Sequence, residues 1–325
     1  MSYQLSLLDQ SPVDEGQTPQ AALAATLAFA RTAERLGYHR LWVSEHHDNE
    51  RLAGSSPEVL IAWLLAHTSR LRIGSGGVML QHYSPYKVAE NFHLLASLAT
   101  GRVDLGVGKA PGGLPLSTKA LQGELAGQKD FPALLAQLTR YLDAVTEPAS
   151  GEAARALPAP SHSPSRFLLG ASAESARLAA HLGWNFVYAG FINASEQAMR
   201  EAVLTFHEYA QQGKALISLA ALAADTTEEA ASLLAEQHNY RVTLGERHVT
   251  VGSEAQALAF VQQAGAADYR IVKQALNVLH GTADVIHQRL AALQQSLKVD
   301  EFILHTPLSN PARRLRSITL LAGQH

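Results

Sequence analysis

Residues 33–47 read AERLGYHRLWVSEHH, and the fold turns on how this stretch is parsed. Ala33 to Gly37 close a helix whose apolar residues recur at helical spacing from about Thr18 onward. Gly37 is the expected stop, because helices commonly end on a residue in the left-handed conformation. Leu41, Trp42 and Val43 then form a short apolar burst, the mark of a buried strand, expected over 39–45. That strand runs straight into Glu45, His46 and His47. A carboxylate and two imidazoles in a row are poor core material. They point to a strand whose C-terminal end opens on a polar site.

The same unit recurs in both directions. YQLSLLD (3–9) reads as the strand before it. SPEVLIAWLLAHTSRL and SPYKVAENFHLLASLATG follow, each opening with Ser-Pro, a cap and then a proline at the first helical position. Further strands are expected at 72–80, 102–110, 166–171, 185–191, 215–224 and 300–307, each followed by a helical pattern. Residues 110–130 and 146–165 read as irregular, and 240–298 as mostly helical. Eight strand–helix units over 1–325 predict a single α/β domain, a (β/α)8 TIM-type barrel with irregular loop insertions. An open doubly wound sheet is the alternative. Against it, LLDQSPVDEG after the first strand lacks the G-x-G-x-x-G fingerprint.

Composition narrows the function classes. The chain has 325 residues and is 47% hydrophobic, enough for a large core. With 26 basic and 29 acidic residues it offers a polyanion nothing, so no nucleic-acid partner is expected. There is no cysteine, which excludes disulfides, thiolate catalysis and cysteine-bound metals. MSYQLSLLDQSP shows no basic segment before an apolar run, so it does not read as a signal peptide. No apolar run approaches membrane-span length, and the expected location is the cytoplasm.

Three local signals fall on expected strand ends. Glu45, His46 and His47 are the first; adjacent histidines project differently, so one is expected to face the barrel mouth. They lack the i, i+4 spacing of a helical zinc pair. His82 or His305 could add ligands from other strands, but no metal is expected. RIGSGGVML (72–80) is the second. Gly74, Gly76 and Gly77 suit either a flat ligand pressed on backbone or simple barrel taper. LGASAESARLAAHLG is the third. Ser172 and Ser175 begin a helix whose free N–H groups could cradle an anion, or Ser172 simply caps it. Lys109 is a cation on the same rim. Together these suggest a phosphate-bearing redox cofactor. Tyr83 and Tyr188, near strand ends, could line a pocket or pack the rim.

At these residues the chain resembles the bacterial luciferase-like flavin monooxygenase superfamily, in its alkanal-monooxygenase-like branch. The matching pieces are LSLLDQSP, AERLGYHRLWVSEHH, RIGSGGVMLQHYSPYKVAENFHLLASLATGRVDLGVGKAPGG, the S-A-E-S-A helix and VDEFILHTP with ARRLRSITLLA. The resemblance covers nearly the whole chain. It implies a barrel, a homodimer, and reduced FMN delivered by a separate NAD(P)H:flavin reductase, or the deazaflavin F420 in other branches. Oxygen would add to the reduced flavin as a C4a-hydroperoxide, which oxidises a small organic substrate such as an aldehyde. His46 would handle protons there, with Glu45 orienting it. Gly76 and Gly77 would support the isoalloxazine at a strand bulge, often a cis peptide. Lys109, Ser172 and Ser175 would hold the phosphate. Gly108 replaces a reactive cysteine of the luciferases, Lys109 an arginine, and the 110–130 loop is shorter; light emission is not expected. A flavin-binding protein without catalysis is the other reading.

Overall fold

A computed structural model of the chain describes residues 3–123, 130–144, 154–245 and 247–323. Its strands are β1 (Gln4–Asp9), β2 (Arg40–Val43), β3 (Arg72–Ser75), β4 (Val78–Met79), β5 (Val103–Gly108), β6 (Ser165–Gly170), β7 (Asn185–Ala189) and β8 (Ala215–Ala223). Then come β9 (His238–Leu244), β10 (Arg247–Val251), β11 (Arg270–Ala275), β12 (Leu279–Gly281) and β13 (Glu301–His305). Around the wall the order is β1, β2, β3, β5, β6, β7, β8 and β13, and β13 pairs back to β1, all in parallel. The short β4 continues the line of β3 beside β5. This is the closed eight-stranded barrel that the strand–helix alternation predicts.

The helices are α1 (Pro19–Leu36), α2 (Pro57–Ala66), α3 (Pro85–Leu98), α4 (Pro115–Gln122), α5 (Phe131–Asp143), α6 (Ala173–His181), α7 (Glu196–Tyr209), α8 (Thr227–Leu234), α9 (Glu254–Ala264), α10 (Ala283–Leu297) and α11 (Pro311–Ala322). Gly37 ends α1 with φ +82°, its N–H reaching back to Ala33 and Glu34 carbonyls. Ser56 and Ser84 do occupy the cap positions before Pro57 and Pro85, yet neither hydroxyl bonds the helix start. Ser56 donates to Glu58 instead. No helix among the described residues is long and apolar enough to cross a membrane.

Alternation along the strands divides the core in two. Leu7, Leu41, Ile73, Leu105, Leu168, Phe186 and Phe302 face the helices. Leu8, Trp42, Phe167, Val187, Leu216 and Ile303 fill the barrel interior. Beneath them lies a buried ionic floor. Arg40 forks onto Glu301 at 2.6 and 3.0 Å and reaches Asp104 at 2.7 Å, while its guanidinium stacks over Phe167 at 4.9 Å. Arg72 also pairs with Asp104, and Trp42 Nε1 donates to it at 3.1 Å. Two guanidiniums face two carboxylates, so no buried charge is left alone. The N-terminal end is thereby sealed, and the C-terminal end is the one that can admit a ligand.

Two expectations need correction. The 240–298 region is not mostly helical. β9 is the centre of an antiparallel three-stranded sheet with β10 and β11, and α9 covers one face. The reason is legible afterwards: Tyr240, Val242 and Leu244 alternate with Asn239, Arg241 and Thr243, a period of two. The 110–130 stretch is likewise not all loop, since 115–122 forms α4; residues 124–129 lie outside the described residues, as do 146–153 of the second irregular stretch.

Candidate active site

Four adjacent wall strands carry the candidate residues on their C-terminal rim. After β2, the chain is pinned by hydrogen bonds from Ser44 N to Asp9 O at 3.1 Å and from His46 N to Gly54 O at 2.9 Å. His46 is half-buried, with Nδ1 3.1 Å from Ser44 Oγ. Its Nε2 has no hydrogen-bond partner among the described residues. Burial, and then repulsion from the His305 imidazole, lowers its pKa to about 4. The ring is therefore neutral at pH 7. A bound anion beside it would pull the value back up.

Glu45 makes its hydrogen bonds with residues other than His46. Its fully buried carboxylate accepts from His47 Nε2 at 2.7 Å, from Tyr83 OH at 2.7 Å and from Met79 N at 3.0 Å. It thus ties the end of β2 to β4 and to the start of α3. Burial first, and then the Glu45 carboxylate, pushes the Tyr83 phenol upward, so Tyr83 stays a donor. Tyr83 is therefore spoken for by Glu45. Tyr188 faces the helix layer, and its hydroxyl donates to Asn193 O at 2.9 Å. Around the same hub, His47 N donates to Gly112 O at 2.8 Å, His82 Nε2 lies 2.6 Å from Pro111 O, and Gln122 donates to His82 Nδ1 at 3.0 Å. These bonds dock 111–122 against the mouth. Ser44 and the segment around Gly112 escaped sequence reasoning, because nothing local distinguishes them.

Gly76 and Gly77 join β3 to β4 through a cis peptide. A Cβ at Gly77 would lie 2.8 Å from Gly106 O, and one at Gly76 would lie 2.8 Å from Leu8 Cδ1 and 3.1 Å from Trp42. The wall itself thus requires both glycines, and Gly76 looks onto the interior apolar layer. Gly76 N donates to Val43 O at 2.8 Å, which places the pair beside the His46 loop.

At the far side of the rim, Ser172 caps α6. Its Oγ accepts from Ser175 N at 3.3 Å and lies 3.2 Å from Ser175 Oγ. A side chain at Gly170 would collide with Ser175, so the strand end and the helix start are pressed together. The first N–H groups of α6 and two hydroxyls are left at one spot. Lys109 is exposed and has no ion pair among the described residues. β5 pairs with β6 through Val107 and Leu168, and extending that register by two sets Lys109 beside Gly170. From β2 to β6 is three strand spacings, roughly 14 Å. A single elongated ligand can therefore touch His46 at one end and this anion cradle at the other. Among the described residues, no group of three or more His, Asp or Glu is placed to hold a metal.

The sequence profile of the family described as "Luciferase-like monooxygenase" matches residues 1–300. N-acetyl-S-alkylcysteine monooxygenase of Bacillus subtilis (strain 168) is 43% identical over 324 residues, covering 98% of this chain and 97% of the relative. The crystal structure of apo-MsnO8 superposes with a TM-score of 0.80 at 31% identity, covering 99% of this chain and 98% of the other. The oxygenating constituent of 3,6-diketocamphane monooxygenase from Pseudomonas putida, solved with FMN, shares the fold at a TM-score of 0.68 and 17% identity, covering 99% and 97%. With its barrel, its rim and these matches, the chain belongs to the luciferase-like monooxygenase family.

Proposed function

We propose that this protein is a flavin-dependent monooxygenase that binds FMN along the rim from β2 to β6 and oxidises a small organic substrate with O2. The observation that carries this reading is the rim itself: a neutral imidazole over an apolar interior at one end, a two-serine helix start with a nearby lysine at the other. Reduced FMN would supply the oxygen-activating chemistry. Ser172, Ser175, the α6 N–H groups and Lys109 would hold its phosphate. The glycine pair and Leu8 would lie under its ring. His46, uncharged and with Nε2 unpaired, would accept or return a proton at the reacting edge. The apolar layer and the docked 111–122 segment would keep water from the reacting atoms.

The reading extends to a cytoplasmic homodimer that draws reduced FMN from a separate NAD(P)H:flavin reductase. Because of the 43% identical relative, N-acetyl-S-alkylcysteines are the first substrates to test, ahead of aldehydes. F420 also presents a phosphate and a flat tricycle, so binding is compared for both. The deciding experiment loads the protein anaerobically with reduced FMN and mixes it with oxygenated buffer in a stopped-flow spectrophotometer. Reoxidation in resolved steps, altered by His46→Ala and accelerated by substrate, is the expected result. Reoxidation indistinguishable from free reduced FMN would sink the proposal.

A further inference from the structure

His305 is the last residue of β13 and the last on that strand's inner face. Glu301, two turns of alternation earlier, belongs to the ionic floor, and Ile303 belongs to the interior apolar layer. His305 pairs in register with Leu8 on β1 and Ala220 on β8. Leu8 is the side chain that a Cβ at Gly76 would strike. The imidazole therefore stands in the same layer as the floor of the candidate flavin site. Phe191 packs beside it with ring centroids 6.3 Å apart.

The ring is incompletely satisfied. Its Nδ1 is buried and has no hydrogen-bond partner of good geometry, although the Leu8 carbonyl lies alongside. Buried polar atoms in folded proteins are nearly always paired, with protein, water or ligand. Burial first, and then the charge of Arg314, lowers the pKa to about 4, so the ring is a neutral donor–acceptor. With one nitrogen turned toward the Leu8 carbonyl and carrying the proton, the other is left as an acceptor. Its field also reaches His46.

We propose that His305 is a second ligand-contacting residue of the mouth, accepting a hydrogen bond from an N–H or O–H group of the bound molecule. That donor belongs either to the flavin ring or to the amide of an N-acetylated substrate. The choice of ligands rests on the proposed flavin monooxygenase function; the geometry of His305 does not. His305→Phe keeps a ring against Phe191 and removes the acceptor, and His305→Gln returns a polar atom near the outer ring nitrogen.

The test uses full-length protein with 15N-labelled histidine, the His305 resonances being identified by their loss in His305→Phe. Oxidised FMN and then N-acetyl-S-methylcysteine are added, and flavin binding is followed separately by fluorescence quenching. An upfield move of the bare His305 nitrogen on adding FMN, with Kd for FMN raised about tenfold in His305→Phe and largely restored in His305→Gln, assigns the donor to the flavin. A move seen only with the thioether, with KM rather than FMN affinity affected, assigns it to the substrate. If FMN binds by fluorescence and neither ligand moves the nitrogen, the proposal is overturned. If FMN fails to bind the wild type, the flavin reading fails, and the thioether arm alone decides the role of His305.

Discussion

His46 shows how a single side chain records its surroundings. Its pKa falls from the ordinary 6.5 to about 4, so the unfolded chain takes up the proton first as the solution is acidified. Its contribution to stability is therefore full above pH 6.5 and is lost as the pH falls toward 4. Between pH 7 and pH 5 this amounts to about 2 kcal/mol. His46→Asn should shrink the drop in unfolding free energy between those two pH values by about that amount, measured by urea titration at each. Equal drops in variant and wild type would mean that the imidazole is not held neutral. The serines at α6 make a second pair of expectations. Ser172→Ala should cost about 1 kcal/mol of stability through loss of the cap, and Ser175→Ala much less. Both should weaken FMN binding while leaving riboflavin, which has no phosphate, nearly untouched. Equal losses for the two ligands would remove the phosphate from this end of the rim.

At the scale of elements, the barrel wall is tightest where β3 passes into β4. Gly77 faces backbone that cannot give way, whereas Gly76 faces the end of a leucine and the flank of an indole. Gly77→Ala should therefore cost about 3 kcal/mol and Gly76→Ala about 1–2 kcal/mol, read as differences in urea midpoint. The reverse order would mean that β4 is free to move off β5. Strand ends and helix starts of this kind were legible in the sequence, because Gly37, the Ser-Pro steps and the apolar bursts are local signals. Ser172 was legible as a cap for the same reason. The partner of Glu45 was not, since three donors converge on it from residues 47, 79 and 83. The ionic floor was hidden as well: Arg40, Asp104 and Glu301 sit in apolar strands far apart in the chain, and only closure of the barrel brings them together. The β9–β11 sheet was missed for a different reason. Its strands carry a one-sided, two-residue pattern that short neighbouring helices mask.

For the whole molecule, the outer face of α2 and α3 is the feature that a lone barrel does not explain. α2 is apolar on every side: Leu60, Ile61, Leu64 and Leu65 are buried, yet Val59 is 70% and Trp63 52% exposed. On α3, which packs against it, Leu94 is 50% and Leu98 70% exposed. A helix that is hydrophobic all round is normally covered on both sides, and four large exposed apolar side chains on two helices that pack together are of the kind that marks a contact surface. Two copies related by a two-fold axis would cover each other's patch with the same residues, the commonest arrangement among homo-oligomers. A homodimer of this kind would use α2 and α3. Trp63→Glu places a charge at its centre and should convert dimer to monomer at micromolar concentrations in analytical ultracentrifugation, with secondary structure unchanged. A monomeric wild type, or a dimer indifferent to Trp63→Glu, would move the interface elsewhere. The same variant also separates assembly from chemistry. α2 and α3 follow directly on the loops that carry His46 and the glycine pair, but Val59, Trp63, Leu94 and Leu98 are none of the residues placed on the rim. FMN affinity in the monomeric variant should thus stay within a few-fold of wild type, and a collapse of binding would show that the second copy holds the mouth in shape.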